Sequence, residues 1–246
     1  MFVDHVIASE PAGFDAGQWW TTGVKPILPW AAAGQVTSYG EDHVKLYVHA
    51  ISPNARRARV CAKLCHLPVE EVVVDLFGGE QRQPEFLALN PNGKVPVLVD
   101  GDFVLCESNA IAQYFALKVG RFDLCPQDPR LRSKVVQWQC WELAHFSPPI
   151  DTLISERLLK PSRGGVADPA VEATAEKEFR RFAKVLDAQL TEKIWLLGET
   201  LTLADVAVAP ALMHADAARL PIAEFPALSE WFARFTELDA WRETSG

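Results

Sequence analysis

The sequence predicts an α/β domain followed by an all-α domain, and three observations support this fold class. Apolar runs typical of strands occur only between residues 44 and 106. Two of these runs flank Asp100-Gly101, a dipeptide that is a strong short-range signal for a β-hairpin. Beyond residue 120 the apolar residues recur at helical spacing instead. The 246 residues, 49% of them hydrophobic, are enough for two domains with sizeable cores.

The first 43 residues show no regular hydrophobic period and are predicted to form an irregular N-terminal extension, residues 1–43. They contain Trp19, Trp20 and Trp30 among several prolines and glycines. Tryptophan side chains are rarely left fully exposed to water, because of their large apolar area. We therefore expect this extension to pack on the body of its own subunit or of a neighbouring one.

The first predicted domain covers residues 44–120. Its elements alternate in the order strand, helix, strand, helix, hairpin, helix, which is the βαβαββα order of a thioredoxin-like domain. Three consecutive valines in the second strand, residues 69–76, predict a strand that is buried on both faces. Ser108, a residue type that caps helices well, is predicted to be the N-cap of the last helix, residues 109–119.

Residues 121–130 contain two prolines and are the predicted linker, and residues 131–246 are the predicted all-helical C-terminal domain. The apolar spacing indicates one helix over residues 131–146 that stops at Pro148-Pro149, with a resumed helix over residues 150–159 as an alternative, and another helix over residues 169–190. Thr202 and Asp205 form a capping-box pattern ahead of an apolar run, which predicts the start of a buried helix.

Composition excludes several classes of function. The formal charge of −8 argues against nucleic acids and anionic membranes as partners, because both attract clustered lysines and arginines. The five cysteines form no metal-binding or paired motif, so we expect free thiols, a reducing compartment and no metal. The chain carries no apolar run long enough to span a bilayer and no recognisable targeting signal, so the predicted location is cytoplasmic.

Two dipeptides on either side of the hairpin suggest a binding site. Pro96 stands at the start of the first hairpin strand, where a cis Val95-Pro96 bond would leave the Val95 amide and carbonyl outside the sheet. Those groups can pair with an extended peptide-like ligand, as an added strand would. Glu107 and Ser108 follow the second strand at a predicted helix N-terminus, which favours anions.

This ordered set of residues resembles the glutathione-binding half of the cytosolic glutathione transferase superfamily. The resemblance implies glutathione as co-substrate, with Val95 of the Val95-Pro96 pair binding the cysteinyl backbone. It also implies that Glu107 and Ser108 hold the γ-glutamyl end. Lys94 is a candidate partner for the glycyl carboxylate. A homodimer and a role in detoxification are further implications of the resemblance.

Ser52 follows the first strand and precedes a helix whose N-terminal amides carry partial positive charge. Its hydroxyl can donate a charge-assisted hydrogen bond to a thiolate, so we expect a donor rather than a covalent nucleophile. The surrounding Ser-Pro-x-x-x-Arg pattern resembles the serine-type members of the superfamily, particularly the tau class. The segment Ser52-Pro53-Asn54 is also similar to the nu class, in which Asn54 would give the sulfur a second donor.

Three functions are consistent with these residues. The first is transfer of glutathione to a hydrophobic electrophile, with Ser52 and Asn54 as the catalytic residues. The alternatives are glutathione-dependent disulfide reduction of the nu type, and non-catalytic glutathione binding. The pocket for the second substrate is expected between the two domains, lined by an apolar aromatic wall. Its candidate residues are Trp138, Trp141, His145 and Met213.

Overall fold

A four-stranded mixed sheet organises the first half of the chain in the computed structural model, which describes residues 44–245. The strands lie in the order β2-β1-β3-β4. Strand β1 pairs in parallel with β2 and antiparallel with β3, and β3 pairs antiparallel with β4. The predicted extension, residues 1–43, lies outside the described residues. The strand bounds are β1 Val44–Val48, β2 Val69–Val73, β3 Val97–Asp100 and β4 Phe103–Cys106.

Three helices complete this half and confirm the thioredoxin-like βαβαββα order. They are α1 Pro53–Leu64, α2 Pro84–Leu87 and α3 Ser108–Lys118. Alanines at the contact, among them Ala58 and Ala112, let α1 and α3 pack closely. The core of this half lies between these two helices and the sheet, where Leu46 and Leu98 are fully buried.

Two details of the sheet differ from the prediction. The hairpin turn consists of Gly101 and Asp102, because Asp100 is still paired with Phe103. Gly101 adopts a positive φ of 62°, a conformation that costs glycine little. The second strand is not buried on both faces, since β2 is an edge strand and Val73 is 70% exposed.

The second half is helical, and its fully buried aromatic side chains, such as Phe146 and Phe179, form its core. It belongs to the same compact unit as the sheet, so contacts between the two halves are part of one body. The helix bounds are α4 Pro129–Trp141, α5 Ser147–Ile154, α6 Lys160–Ser162, α7 Pro169–Leu190, α8 Leu203–Val208, α9 Pro226–Thr236 and α10 Asp239–Arg242. Short 3₁₀ turns occur at Glu80–Arg82, Ala209–Leu212 and Ile222–Glu224.

The expectation that a helix stops at Pro148-Pro149 is wrong. A π-helical turn, Glu142–Phe146, joins α4 to α5, and the two prolines fall in the first turn of α5. Proline lacks the N–H that a helix interior needs, but the wider π turn shifts the hydrogen-bond register just before it. A second π turn, Ser155–Leu159, leads into α6.

The capping box before α8 is confirmed and extends into a larger buried network. Thr202 accepts a hydrogen bond from the Ala204 amide, and Asp205 Oδ2 accepts one from the Thr202 amide at 3.0 Å. Asp205 Oδ1 also accepts from the Leu196 amide and from Trp231 Nε1. Burial raises the pKa of Asp205, and these donors offset part of that cost. The network joins α8 to α9 inside the helical half.

Within residues 44–245, none of the helices combines the length and apolarity needed to cross a bilayer. The same part of the chain brings no three His, Cys, Asp or Glu side chains together in a way that could hold a metal ion.

Candidate active site

Ser52 lies at the N-terminus of α1, immediately after the turn that follows β1. It is the N-cap of the helix: its Oγ accepts a hydrogen bond from the Ala55 amide at 3.1 Å. Because that bond uses a lone pair of the oxygen, the hydroxyl hydrogen remains to be donated. Ser52 is half-buried, so a ligand can reach this hydroxyl.

Asn54 is exposed in the first turn of α1, and its amide orientation is set by Arg57. Arg57 Nη1 donates to Asn54 Oδ1 at 2.6 Å. A guanidinium has only donors, so the Asn54 oxygen must face it and the amide nitrogen points the other way. Among residues 44–245, no acceptor takes a hydrogen bond from this amide nitrogen.

Val95 and Pro96 stand at the edge of the sheet, before the first paired residue of β3. The Val95-Pro96 peptide bond is cis, as predicted. Val95 is buried, and within the described chain its amide and carbonyl take part in no hydrogen bond. Lys94 beside it is exposed, and its carbonyl accepts from Asn90 Nδ2 at 2.7 Å. An extended ligand can thus add hydrogen bonds at this position.

Glu107, and not Ser108, is the N-cap of α3, so the predicted cap was one residue too late. Glu107 is exposed and has a φ of +68°, an unusual conformation for a residue with a side chain. Such strain is concentrated at functional sites. Ser108 is the first residue of the helix and is buried. Its Oγ accepts a hydrogen bond from Arg57 Nη1 at 2.7 Å.

Arg57 connects these residues to the helical half; it is the arginine of the Ser-Pro-x-x-x-Arg pattern, but the sequence analysis assigned it no role in the site. Its side chain is fully buried and forms an ion pair with Glu142 at 2.9 Å. Its Nε and Nη2 also donate to the Ala207 carbonyl at 3.0 and 2.7 Å. The signal was present in the sequence: Arg57 shares helical spacing with Val60 and Cys61, so it places a charge on an apolar face.

Asp151 on α5 is a second residue that the sequence did not reveal. Its side chain remains solvent-accessible, yet partial burial and the nearby charge of Glu142 raise its pKa to about 6. The charges of Arg57 and Lys94 act in the opposite direction.

Three of the four residues expected to line the second-substrate pocket meet in one aromatic cluster. The Trp138 and Trp141 ring centroids are 4.9 Å apart, and Phe182 of α7 lies 6.2 Å from Trp141 and 5.3 Å from His145. His145 also lines an open, largely apolar cavity of about 640 Å³. The other lining residues are Ala144, Pro148, Pro149, Thr152, Ala170, Val171, Thr174, Ala175, Glu178 and Phe182.

Met213 lies elsewhere, after the 3₁₀ turn that follows α8. It is half-buried, and the next residue, His214, donates through Nε2 to the Ile51 carbonyl at 2.9 Å. Because Ile51 immediately precedes Ser52, Met213 belongs to the segment beside the proposed sulfur position. The four expected residues thus lie in two places. Trp138, Trp141 and His145 belong to the aromatic cluster, and Met213 lies near the N-terminus of α1.

Comparison with known proteins defines first the class of this two-part molecule. Residues 51–118 match the glutathione S-transferase N-terminal domain, and residues 151–239 match the glutathione S-transferase C-terminal domain. These ranges fall on the thioredoxin-like half and on the helical half respectively. The chain therefore has the two-domain architecture of glutathione S-transferases.

Individual relatives then establish the family. The chain is 39% identical to glutathione S-transferase 3 of Zea mays, over 82% of this chain and 92% of that protein. It is 35% identical to glutathione S-transferase F10 of Arabidopsis thaliana, over 78% of this chain and 92% of that protein. The chain belongs to the glutathione S-transferase family and is a glutathione transferase.

A solved structure shows the same fold with ligand. A glutathione transferase family member from Pseudomonas fluorescens, crystallised with two glutathione molecules bound, has a TM-score of 0.76 and 26% identity to this chain. The alignment covers 83% of this chain and 92% of that one. These relatives do not confirm the tau or the nu subtype that the sequence suggested.

Proposed function

We propose that Ser52 activates glutathione by donating its hydroxyl hydrogen to the sulfur, and that the resulting thiolate attacks a hydrophobic electrophile. The observation that carries this proposal is the capping bond from the Ala55 amide to Ser52 Oγ, which leaves the hydroxyl hydrogen to be donated outward. The N-terminal amides of α1 add partial positive charge at the same place.

The lowering of the thiol pKa that this mechanism requires can be compared with what a hydrogen bond and a helix N-terminus provide. An ordinary thiol has a pKa of about 8.5, so only a small fraction is ionised at neutral pH. Lowering the thiol pKa by about 2 units corresponds to about 2.7 kcal/mol of preferential stabilisation of the thiolate. One charge-assisted hydrogen bond together with a helix N-terminus supplies an amount of this order.

The rest of glutathione would lie along the edge of the sheet. The unpaired amide and carbonyl of Val95, beside Pro96, would bind the cysteinyl backbone, and Lys94 would meet the glycyl carboxylate. Glu107 would accept from the γ-glutamyl ammonium group. Ser108 and the first amides of α3 would hold the γ-glutamyl carboxylate.

Replacement of Ser52 tests this mechanism. We expect Ser52→Ala to lower kcat/KM for a chlorinated nitroarene about 100-fold, because the donor to the developing charge is lost. The dissociation constant for glutathione should change little, and the pKa of the bound thiol, read from thiolate absorbance, should rise. Ser52→Thr keeps both the cap and the hydroxyl and is the matched control. An unchanged thiol pKa in the alanine variant would remove Ser52 from the mechanism.

Disulfide reduction of the nu type is a second candidate, favoured by the amide N–H pair of Asn54. These groups could give the sulfur a second donor. This function predicts faster turnover of hydroxyethyl disulfide than of the nitroarene, and a loss of that turnover in Asn54→Ala. If the nitroarene is the better substrate and Asn54→Ala leaves disulfide turnover unchanged, disulfide reduction is refuted and glutathione transfer to an electrophile is retained.

We infer that Trp138, Trp141, His145 and Met213 contribute an apolar wall for the electrophile, with Met213 nearest to the sulfur. We further propose a cytoplasmic homodimer with a detoxifying role. All five cysteines are free thiols, as a reducing compartment keeps them. Exposed apolar side chains on β4 and α4, among them Phe103 and Leu131, offer surface that a second copy could bury. Analytical ultracentrifugation tests the dimer, and a fluorescent fusion tests the location.

A further inference from the structure

We propose that Arg57 is a positioning residue that turns Asn54 and Ser108 toward glutathione, and that Glu142 and Ala207 of the helical half hold Arg57 in place. This inference rests on the proposed function, because it concerns two residues assigned there to the ligand. The geometry of the guanidinium group carries it.

The guanidinium of Arg57 is fully enclosed and uses all of its nitrogens. Nε and Nη2 donate to the Ala207 carbonyl, and Nη2 also pairs with Glu142 Oε1 at 2.9 Å. Nη1 donates to Asn54 Oδ1 at 2.6 Å and to Ser108 Oγ at 2.7 Å. A guanidinium group is planar and rigid. Because contacts with the helical half hold Nε and Nη2, the position of Nη1 in the site is fixed as well.

The bond from Nη1 determines which way the Ser108 hydroxyl points. Since Ser108 Oγ accepts from Arg57, its own hydrogen must be donated elsewhere. The acceptor within the protein is Asn54 Oδ1 at 3.3 Å, a longer bond than the 2.6 Å one that Arg57 already gives to the same oxygen. A carboxylate is a stronger acceptor, so a bound γ-glutamyl carboxylate draws the Ser108 hydrogen to itself.

The same nitrogen fixes the Asn54 amide. Without a donor at this position, the oxygen and nitrogen of Asn54 could exchange places by rotation about the terminal bond. Arg57 permits only the orientation in which Oδ1 faces its guanidinium and the N–H pair points away from it. Arg57 thereby presents two donors, one from Asn54 and one from Ser108, to the ligand.

Glu142 balances the charge that makes this arrangement possible. Its side chain is fully buried, and its Oε1 also accepts from the Ser147 hydroxyl. Among the described residues, Oε2 of Glu142 has no hydrogen-bond partner, so Arg57 is its principal source of compensation. A lysine at position 57 would keep the charge but could not reach all these acceptors at once, since an ammonium group is a point charge.

A double-mutant cycle on the dissociation constant for glutathione, measured by titration calorimetry, tests the positioning role. We expect Ser108→Ala and Arg57→Lys each to weaken glutathione binding about tenfold. The double variant should lose little more than either single variant, because Arg57 affects glutathione affinity through the Ser108 hydroxyl, whereas Asn54 is directed to the sulfur. Losses that multiply to about 100-fold would overturn the proposal, as would unchanged binding in Arg57→Lys.

Further variants separate positioning from general stability. Arg56→Lys removes the neighbouring buried guanidinium and should leave glutathione binding unchanged. Glu142→Gln loosens the anchor of Arg57 without touching the site, so it should raise KM for glutathione about threefold while leaving KM for the electrophile unchanged. Equal changes in both KM values would contradict the proposal. If Arg57→Lys does not fold, Glu142→Gln replaces it in a double-mutant cycle with Ser108→Ala.

The outcomes also distinguish this inference from the proposed function. Unchanged glutathione affinity in Ser108→Ala would refute the contact between Ser108 and the γ-glutamyl carboxylate itself. Multiplicative losses in the cycle would leave that contact intact and refute only the positioning role of Arg57.

Discussion

Two neighbouring arginines, Arg56 and Arg57, lie in very different surroundings on the same turn of α1. Arg57 faces the junction with the helical half, where a carboxylate and a carbonyl hold it. Arg56 faces the C-terminal helix, where its guanidinium stacks on the Trp241 ring at 3.4 Å and donates to the Trp241 carbonyl at 3.1 Å. No carboxylate pairs with Arg56 in the described part of the chain.

The difference shows in the cost of each charge. Burial and the nearby charge of Arg59 lower the pKa of Arg56 to about 10, and its Nε has no hydrogen-bond partner among residues 44–245. Arg57 is more deeply buried, but every nitrogen of its guanidinium is used. Stacking on an aromatic ring, as at Arg56, stabilises a buried guanidinium. An ion pair, as at Arg57, also fixes the orientation of the guanidinium group. The orientation of the guanidinium group is important only for Arg57, which contacts the proposed ligand-binding residues.

The largest expected effect comes from breaking the Arg57 pair. Glu142→Ala should lower the free energy of unfolding by about 3–5 kcal/mol, because it leaves a buried charge without compensation. Urea denaturation at neutral pH measures this change.

Glu156 provides a matched control for Glu142→Ala, since it is another buried glutamate. Its partner Lys160 remains 43% exposed, so the Lys160 charge can be solvated when the carboxylate is removed. Glu156→Ala should therefore cost less stability than Glu142→Ala. Equal losses would mean that the ion pair with Arg57 has no special weight.

A smaller effect is expected at the other arginine. Arg56→Met should change the free energy of unfolding by at most about 1 kcal/mol, because the lost stacking on Trp241 is offset by removal of a poorly solvated charge. Glutathione affinity should stay the same. A loss as large as that of Glu142→Ala would erase the contrast between the two arginines.

The last effect, at Asp151, differs in kind because it depends on pH. Its folded-state pKa of about 6 lies above that of an unfolded aspartate, so the folded protein binds the proton more tightly. The wild type therefore loses stability as pH rises through the window from about 4 to 6. Asp151→Asn removes this dependence, so its Tm advantage over wild type should be present above pH 6 and fade toward pH 4. A constant difference in Tm across this range would show that Asp151 titrates normally.

The features that the sequence predicted correctly depend on nearby residues. Helix α7 spans the predicted range, Pro169–Leu190, because Asp168 caps its start and the apolar stripe defines its length. The capping box of Thr202 and Asp205 and the cis Val95-Pro96 bond were also read from short patterns. Val95, Glu107 and Ser108 could be proposed as glutathione-binding residues because they occur in order within a short stretch of chain.

The features that were missed depend on contacts between distant parts of the chain. Arg57 and Glu142 are far apart in sequence, and no local pattern says that they meet. Likewise, no local pattern says that the Arg56 guanidinium stacks on Trp241 near the C-terminus. The passage of a helix through Pro148 depends on a π turn, which hydrophobic spacing does not reveal.

The bonds from Arg57 to Ala207 and Glu142 have a consequence for protein engineering. A chimera that joins residues of this thioredoxin-like half to the helical half of another transferase would bury an orphan cation unless the incoming half supplies a matching acid and a carbonyl. Designers of hybrid enzymes should therefore transplant positions 57, 142 and 207 together.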